Sequence, residues 1–120
     1  LSGLPLYPGL YTNSTSVMLS VGNVTLDAQG DVNAVFLFQM GSTLTTGAST
    51  QVVLSGGAKA SNVYWQVGTS ATLGTNSLFK GNILAEASIT LATGATLDGR
   101  ALTQTAAVTL DAATITAPMP

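Results

Sequence analysis

Apolar and polar residues alternate along most of this chain. Val24-Thr25-Leu26, Ile89-Thr90-Leu91 and Val108-Thr109-Leu110 each set one threonine between two apolar residues. A period of two residues belongs to a strand with one face buried. Gly41, Gly47, Gly56-Gly57, Gly68, Gly74, Gly81, Gly94 and Gly99 interrupt the pattern at short intervals. They mark turns between short strands. No stretch carries the period of an amphipathic helix.

The alternation repeats. Phe38-Gln39-Met40-Gly41 matches Trp65-Gln66-Val67-Gly68 at an offset of 27 residues, which also pairs Thr45 with Thr72 and Gly47 with Gly74. Farther on the offset shortens. Gly81-Asn82-Ile83-Leu84 matches Gly99-Arg100-Ala101-Leu102 at 18 residues, and Ile89-Thr90-Leu91 matches Val108-Thr109-Leu110 at 19. Units of this length, each with three short strands, predict an all-β solenoid, a three-sided β-helix whose coils stack one on the next. Backbone hydrogen bonds then run along the solenoid axis.

The register predicts three faces. Face one takes residues 24–26, 42–45, 69–72, 89–91 and 108–110. Face two takes 51–54, 77–80, 95–98 and 113–116. Face three takes 35–39, 63–67, 82–86 and 100–104. Residues 1–20 read as an irregular lead-in packed on the solenoid, 21–116 as the coils and 117–120 as a C-terminal tail. Face three breaks the alternation, because Val35-Phe36-Leu37-Phe38, Val63-Tyr64-Trp65 and Ile83-Leu84-Ala85 are apolar at both parities. Such a strand is buried on both sides. A helix lying along the solenoid is the natural cover, supplied by sequence outside these 120 residues. An oligomer contact or a bare apolar surface are the alternatives.

Composition narrows the function classes. The chain is 46% hydrophobic and only 7% charged, with net charge −2. A core is affordable, and the charge offers no electrostatic footprint for nucleic acid or an anionic membrane. Threonine and serine supply most of the polarity. The absence of Cys and His excludes Cys/His zinc sites, thiol nucleophiles and imidazole bases, so no cofactor or metal is expected. No apolar run approaches the roughly 20 residues that span a bilayer. Asp27-Ala28-Gln29-Gly30-Asp31 lacks the spacing of an EF-hand and reads as a turn with side-chain caps. Arg100 reads as one half of an ion pair with Glu86, and Trp65 and Phe38 read as core.

A family resemblance rests on an ordered set of segments. Leu6-Tyr7-Pro8-Gly9-Leu10-Tyr11, Val24-Thr25-Leu26-Asp27-Ala28-Gln29-Gly30-Asp31 and Ala34-Val35-Phe36-Leu37-Phe38-Gln39 come first. Asn62-Val63-Tyr64-Trp65-Gln66-Val67-Gly68, Phe79-Lys80-Gly81-Asn82-Ile83-Leu84-Ala85, Gly99-Arg100-Ala101-Leu102 and Val108-Thr109-Leu110-Asp111 follow. Together they resemble the microbial ice-binding (antifreeze) family of the DUF3494 type, from Leu4 to about Ile115. The resemblance implies a right-handed, discontinuous β-helix with an N-terminal portion and a long helix packed alongside, absent from this chain. It also implies secretion by cold-adapted microbes, adsorption to ice planes, thermal hysteresis and inhibition of ice recrystallisation.

Face one is the surface that this chemistry needs. One outward column is expected to hold Thr43, Ser70, Thr90 and Thr109, and a neighbouring one Thr45, Thr72, Ala92 and Asp111, with Thr25 and Asp27 extending them by a coil. Neighbours in a column lie about 4.7–4.9 Å apart, and alternate residues along a strand about 6.6 Å apart. The threonine β-branch holds χ1 stiff, so the grid is rigid. Its methyl can occupy a gap in ordered water while the hydroxyl bonds into that layer. Each such bond contributes little, so affinity must come from many contacts on a preorganised plane. The family resemblance adds a motif of Thr, Ala or Gly, any residue, then Thr or Asn. Thr93-Gly94-Ala95-Thr96 fits it, and Thr46-Gly47-Ala48-Ser49 departs at Ser49. Face two, interrupted by Lys80 and Asp98, is the alternative site. Two other function classes compete. A carbohydrate-cleaving β-helix enzyme needs several acids in one groove, whereas the acids here are scattered one per coil. An extracellular adhesin or carbohydrate-binding solenoid needs exposed aromatics, and Tyr7, Tyr11 and Tyr64 all fall away from face one.

Overall fold

The computed structural model describes residues 5–14, 17–19, 23–111 and 113–116. The chain forms strands β1 (Pro5–Leu6), β2 (Gly9–Asn13), β3 (Val17–Leu19), β4 (Asn23–Asp27), β5 (Phe36–Met40), β6 (Leu44–Thr46) and β7 (Gln51–Ser55). A single 3-10 turn at Ala60–Asn62 then leads into β8 (Val63–Val67), β9 (Ala71–Leu73), β10 (Leu78–Ala85), β11 (Ile89–Leu91), β12 (Thr96–Thr103), β13 (Val108–Leu110) and β14 (Thr114–Thr116). There is no α-helix among the described residues.

Each of these strand pairs is parallel and joins one coil to the next. Parallel partners need a chain that returns to its starting end before pairing, and a solenoid coil does this in a single circuit. Face one is a separate five-stranded sheet, β3-β6-β9-β11-β13. Face two stacks β1, β4, β7, the first part of β10, the first part of β12, and β14. Face three stacks β2, β5, β8 and the remaining parts of β10 and β12. The three-sided solenoid expected from the repeats is therefore the fold.

The two repeat lengths have one structural cause. Coils with the long repeat cross from face two to face three through loops at 28–35 and 56–62, whereas β10 and β12 make the same corner by bending at Gly81 and Gly99. Gly81 has φ +120°, and a Cβ there would come within 2.8 Å of both the Trp65 ring nitrogen and Val63 Cγ1. At Gly99 it would meet the Gly81 backbone. In the loop at 28–35 the acids act as caps: Asp27 accepts from the Gln29 N–H at 2.8 Å and Asp31 from the Asn33 N–H at 2.9 Å. These are the side-chain turn caps that short acidic residues favour.

The interior is filled by inward columns. Val24, Val52, Phe79 and Leu97 come from face two, Phe38, Trp65 and Ile83 from face three, and Leu44, Ala71 and Ile89 from face one, all buried. The register stacks Tyr11 on Phe38 and Phe38 on Trp65, with ring centroids 5.1 and 4.1 Å apart, and Phe79 closes on Trp65 at 4.7 Å. Such pairs contribute about 0.5–1.5 kcal/mol each beyond their area. The Trp65 indole N–H donates to the Lys80 carbonyl at 3.0 Å, so this fully buried ring has its polar group paired.

Three expectations need correction. Residues 24–26 do not lie on face one: β4 pairs with β7, Val24 with Val52, on face two. Apolar–Thr–apolar triplets occur on both faces, so the triplet alone does not assign one. Residues 5–13 and 17–19 are more regular than a lead-in, because β1, β2 and β3 stack in register on β4, β5 and β6. Backbone pairing from the next coil imposes strand geometry on a sequence whose Pro5, Pro8 and Gly9 obscure the alternation. Arg100 donates to Asn82 Oδ1 at 3.3 Å instead of pairing with Glu86, and Asn82 in turn bonds the Ser61 and Val63 carbonyls. The tail at 117–120 lies outside the described residues. Replacing Gly81 with alanine is expected to destabilise the protein by about 1–3 kcal/mol, the usual cost of overpacking. A urea melt followed by Trp65 fluorescence measures it.

Candidate functional site: the threonine column of face one

The strands of face one are three residues long, so each points one central side chain outward. The register brings Thr45 beside Thr72, Thr72 beside Thr90, and Thr90 beside Thr109. Met18, 65% exposed, continues the column at the N-terminal end. Four threonines thus occupy consecutive coils of a parallel sheet. Thr72 and Thr109 are exposed, while Thr45 and Thr90 are half-buried between neighbouring side chains. Their apolar neighbours in sequence point the other way, with Leu44, Ala71, Leu73, Ile89 and Leu91 at or near zero exposure.

This column differs from either one expected. Thr90 and Thr109 stand with Thr45 and Thr72, not with Thr43 and Ser70. Coil four skips the loop at 56–62, so Ala71 pairs with Ile89 at the 18-residue offset. A slip of two residues keeps every side chain on its own side of the sheet, so alternation cannot detect it. Thr43, Ser70 and Ser88 form a flanking row, in which the Leu44 N–H donates to the Ser70 carbonyl and the Ala71 N–H to the Ser88 carbonyl. The Ser70 and Ser88 hydroxyls bond each other at 3.1 Å. On the opposite flank lie Gly47, Gly74, Ala92 and Asp111, aligned by the Ala92 N–H on Leu73 O and the Asp111 N–H on Leu91 O. Thr25 and Asp27 belong to face two with β4 and extend neither row.

The turn residues separate. Thr46, the last residue of β6, faces inward and is 3% exposed, so it cannot touch a planar surface. Its hydroxyl accepts the Gly74 N–H at 2.9 Å. Ser49 sits at the exposed corner with φ +60°, at the same place as Asn76 (φ +58°) and Gly94 (φ +75°). Thr46-Gly47-Ala48-Ser49 and Thr93-Gly94-Ala95-Thr96 are therefore two residues out of step and do not form one repeated motif. Thr93 is exposed at the corner, where its hydroxyl donates to Asp111 Oδ2 at 3.2 Å. Thr96 opens β12 and faces outward on face two, between Leu78 and Thr114.

Face two carries no comparable column. Its outward rows read Gln51, Leu78, Thr96, Thr114 and Thr25, Val53, Lys80, Asp98. Lys80 and Asp98 are bonded at 3.2 Å with about 30% of each side chain exposed, a pair that contributes about 0–1 kcal/mol. The threonine column of face one has no charged member. Asp111 stands at the end of its flank.

A parallel three-sided β-solenoid with an in-register threonine column defines the class of protein. The chain belongs to the ice-binding-like family, whose sequence pattern it matches over residues 1–116. It is 55% identical over 112 residues to an ice-binding protein of Nostoc sp. (strain HG1), spanning 92% of this chain and 41% of that protein. The crystal structure of an ice-binding protein from an Antarctic biological consortium superposes with a TM-score of 0.97 at 52% identity, covering 99% of this chain and 54% of that one. The DUF3494 domain of Shewanella frigidimarina ice-binding protein 1 gives 0.96 at 40% identity, covering 51% of that chain. This chain therefore spans about half the length of these relatives.

Thr46→Val removes the acceptor for the part-buried Gly74 N–H. It is expected to cost about 1–3 kcal/mol of stability. The outward side chains of face one should be unchanged in the folded protein. A chemical melt measures the cost.

Proposed function

We propose that this chain adsorbs to ice through face one, and thereby lowers the freezing point without melting-point change and slows recrystallisation. One observation carries the reading: Thr45, Thr72, Thr90 and Thr109 form an uncharged column on a parallel sheet. Stacked coils repeat every 4.7–4.9 Å or so, and β-branching limits each threonine to few rotamers. Methyl and hydroxyl are thereby held at fixed spacing before any ice is met, which removes the ordering cost of binding. Ser49 and Thr93 border this surface at its corner, Ala92 and Ser70 flank the column within it, and Thr96 faces outward on face two. The reading is non-catalytic, and it places the protein outside the cell, where ice grows. The adhesin alternative gains nothing from face one, since Tyr64 lies on face three and Tyr11 stacks on Phe38.

Face three supports a second part of the proposal. Leu10 (61% exposed), Val35, Tyr64, Leu84 and Leu102 point outward from it. An apolar surface of this kind marks an interface. In a chain of the relatives' length, a helix from the N-terminal portion would lie along it. Burying these side chains contributes about 1.5–3 kcal/mol for each one fully covered.

Thr72→Tyr and Thr90→Tyr each place a bulky ring in the column. Each is expected to abolish most thermal hysteresis while shifting stability by only about 0.5 kcal/mol, as for other surface substitutions. Undiminished hysteresis in both folded variants would move the site elsewhere. Adding the N-terminal portion of a relative should raise the melting temperature, read by circular dichroism, and an unchanged midpoint would remove the proposed cover.

A further inference from the structure

Among the described residues, Asp111 is the one charged residue in the outward rows of face one. Its row reads Gly47, Gly74 and Ala92 in the preceding coils, so no earlier coil places a carboxylate there. Its partner is a hydroxyl: Thr93 Oγ1 donates to Asp111 Oδ2 at 3.2 Å. Thr93 lies one residue beyond Ala92, in the exposed turn where the chain leaves face one for face two. The bond therefore draws the carboxylate toward the corner, away from Thr109 and the column. Thr75 holds the same corner one coil earlier, and the residue in the place of Asp111 is there Ala92.

The direction of that carboxylate matters, because a hydroxyl and a carboxylate meet ordered water differently. Each water molecule in ice donates two hydrogen bonds and accepts two. A threonine hydroxyl also donates and accepts, so it can stand in for a lattice water. An ionised carboxylate accepts only, and stripping its hydration is costly. Alternate residues of a strand lie about 6.6 Å apart, which sets Asp111 directly beside Thr109. We infer that Thr93 is a positioning residue: its hydroxyl holds the Asp111 carboxylate at the corner and so keeps the C-terminal end of the threonine column open to ice. The role presupposes the ice-binding reading of face one. Thr93 then acts through Asp111 and not as an ice contact of its own.

Thermal hysteresis of purified variants tests this, with the fold of each checked by circular dichroism. Thr93→Val keeps the β-branch and removes the donor, and is expected to lower hysteresis. Thr93→Ser keeps the donor and should hold the parent value. Asp111→Ala should retain at least the parent value, and adding Thr93→Val to it should change nothing, since no carboxylate remains to be restrained. An equal loss from Thr93→Val in both backgrounds would make Thr93 a direct ice contact and overturn the inference. A loss in Asp111→Ala, a loss in Thr93→Ser as large as in Thr93→Val, or unchanged hysteresis in Thr93→Val overturns it too, while ice binding by the column stands. A parent protein without hysteresis removes the ice-binding reading, and the role of Thr93 with it.

Discussion

Hydrogen bonds between successive parallel coils run along the axis of this protein and set each residue over its counterpart one coil away. Whatever residue type recurs at a position becomes a column. Inside, recurrence builds the Tyr11-Phe38-Trp65 stack. Outside, it builds the threonine column. At the corners it enforces small residues: a Cβ on Gly68 would lie 2.6 Å from the carbonyl carbon of Gly41. Chain length can vary only where the path leaves the stack, as it does at 28–35 and 56–62.

Rigidity follows from the same stacking. Buried polar groups are paired where the register demands them: Thr46 with the Gly74 N–H, Trp65 with Lys80 O, Asn82 with two carbonyls. Among the described residues no buried side-chain nitrogen or oxygen lacks a partner. A fully paired interior resists the local openings that would let the surface ripple. For a ligand that offers only weak, repeated contacts, a surface fixed in advance is the main source of affinity.

The three faces divide the work. Face one is narrow, with three-residue strands and one outward position per coil, and so shows a simple uniform row. Face two carries the Lys80–Asp98 pair and mixed side chains suited to liquid water. Face three shows exposed apolar side chains, Leu10, Tyr64, Leu84 and Leu102, beside the bonded Gln39–Gln66 pair. The Lys80–Asp98 ion pair thus lies off the threonine column.

Much of this was written in the sequence. Alternation, recurring glycines and the two offsets determined a three-sided solenoid, because strand period and coil length are local properties. Doubled apolar parity determined the unusual character of face three for the same reason. The pairing partners were another matter. Ala71 stands where Leu44 and Ile89 stand, and Thr46 stands where Leu73 and Leu91 stand, so side-chain type does not mark the register in those coils. Only the stacked backbone decided that Thr90 follows Thr72, that Thr46 turns inward and that residues 24–26 belong to face two. Alternation reports which side of a sheet a residue faces. A shift of two residues leaves that side unchanged, and only hydrogen bonds between coils, contacts distant in sequence, distinguish one register from the next.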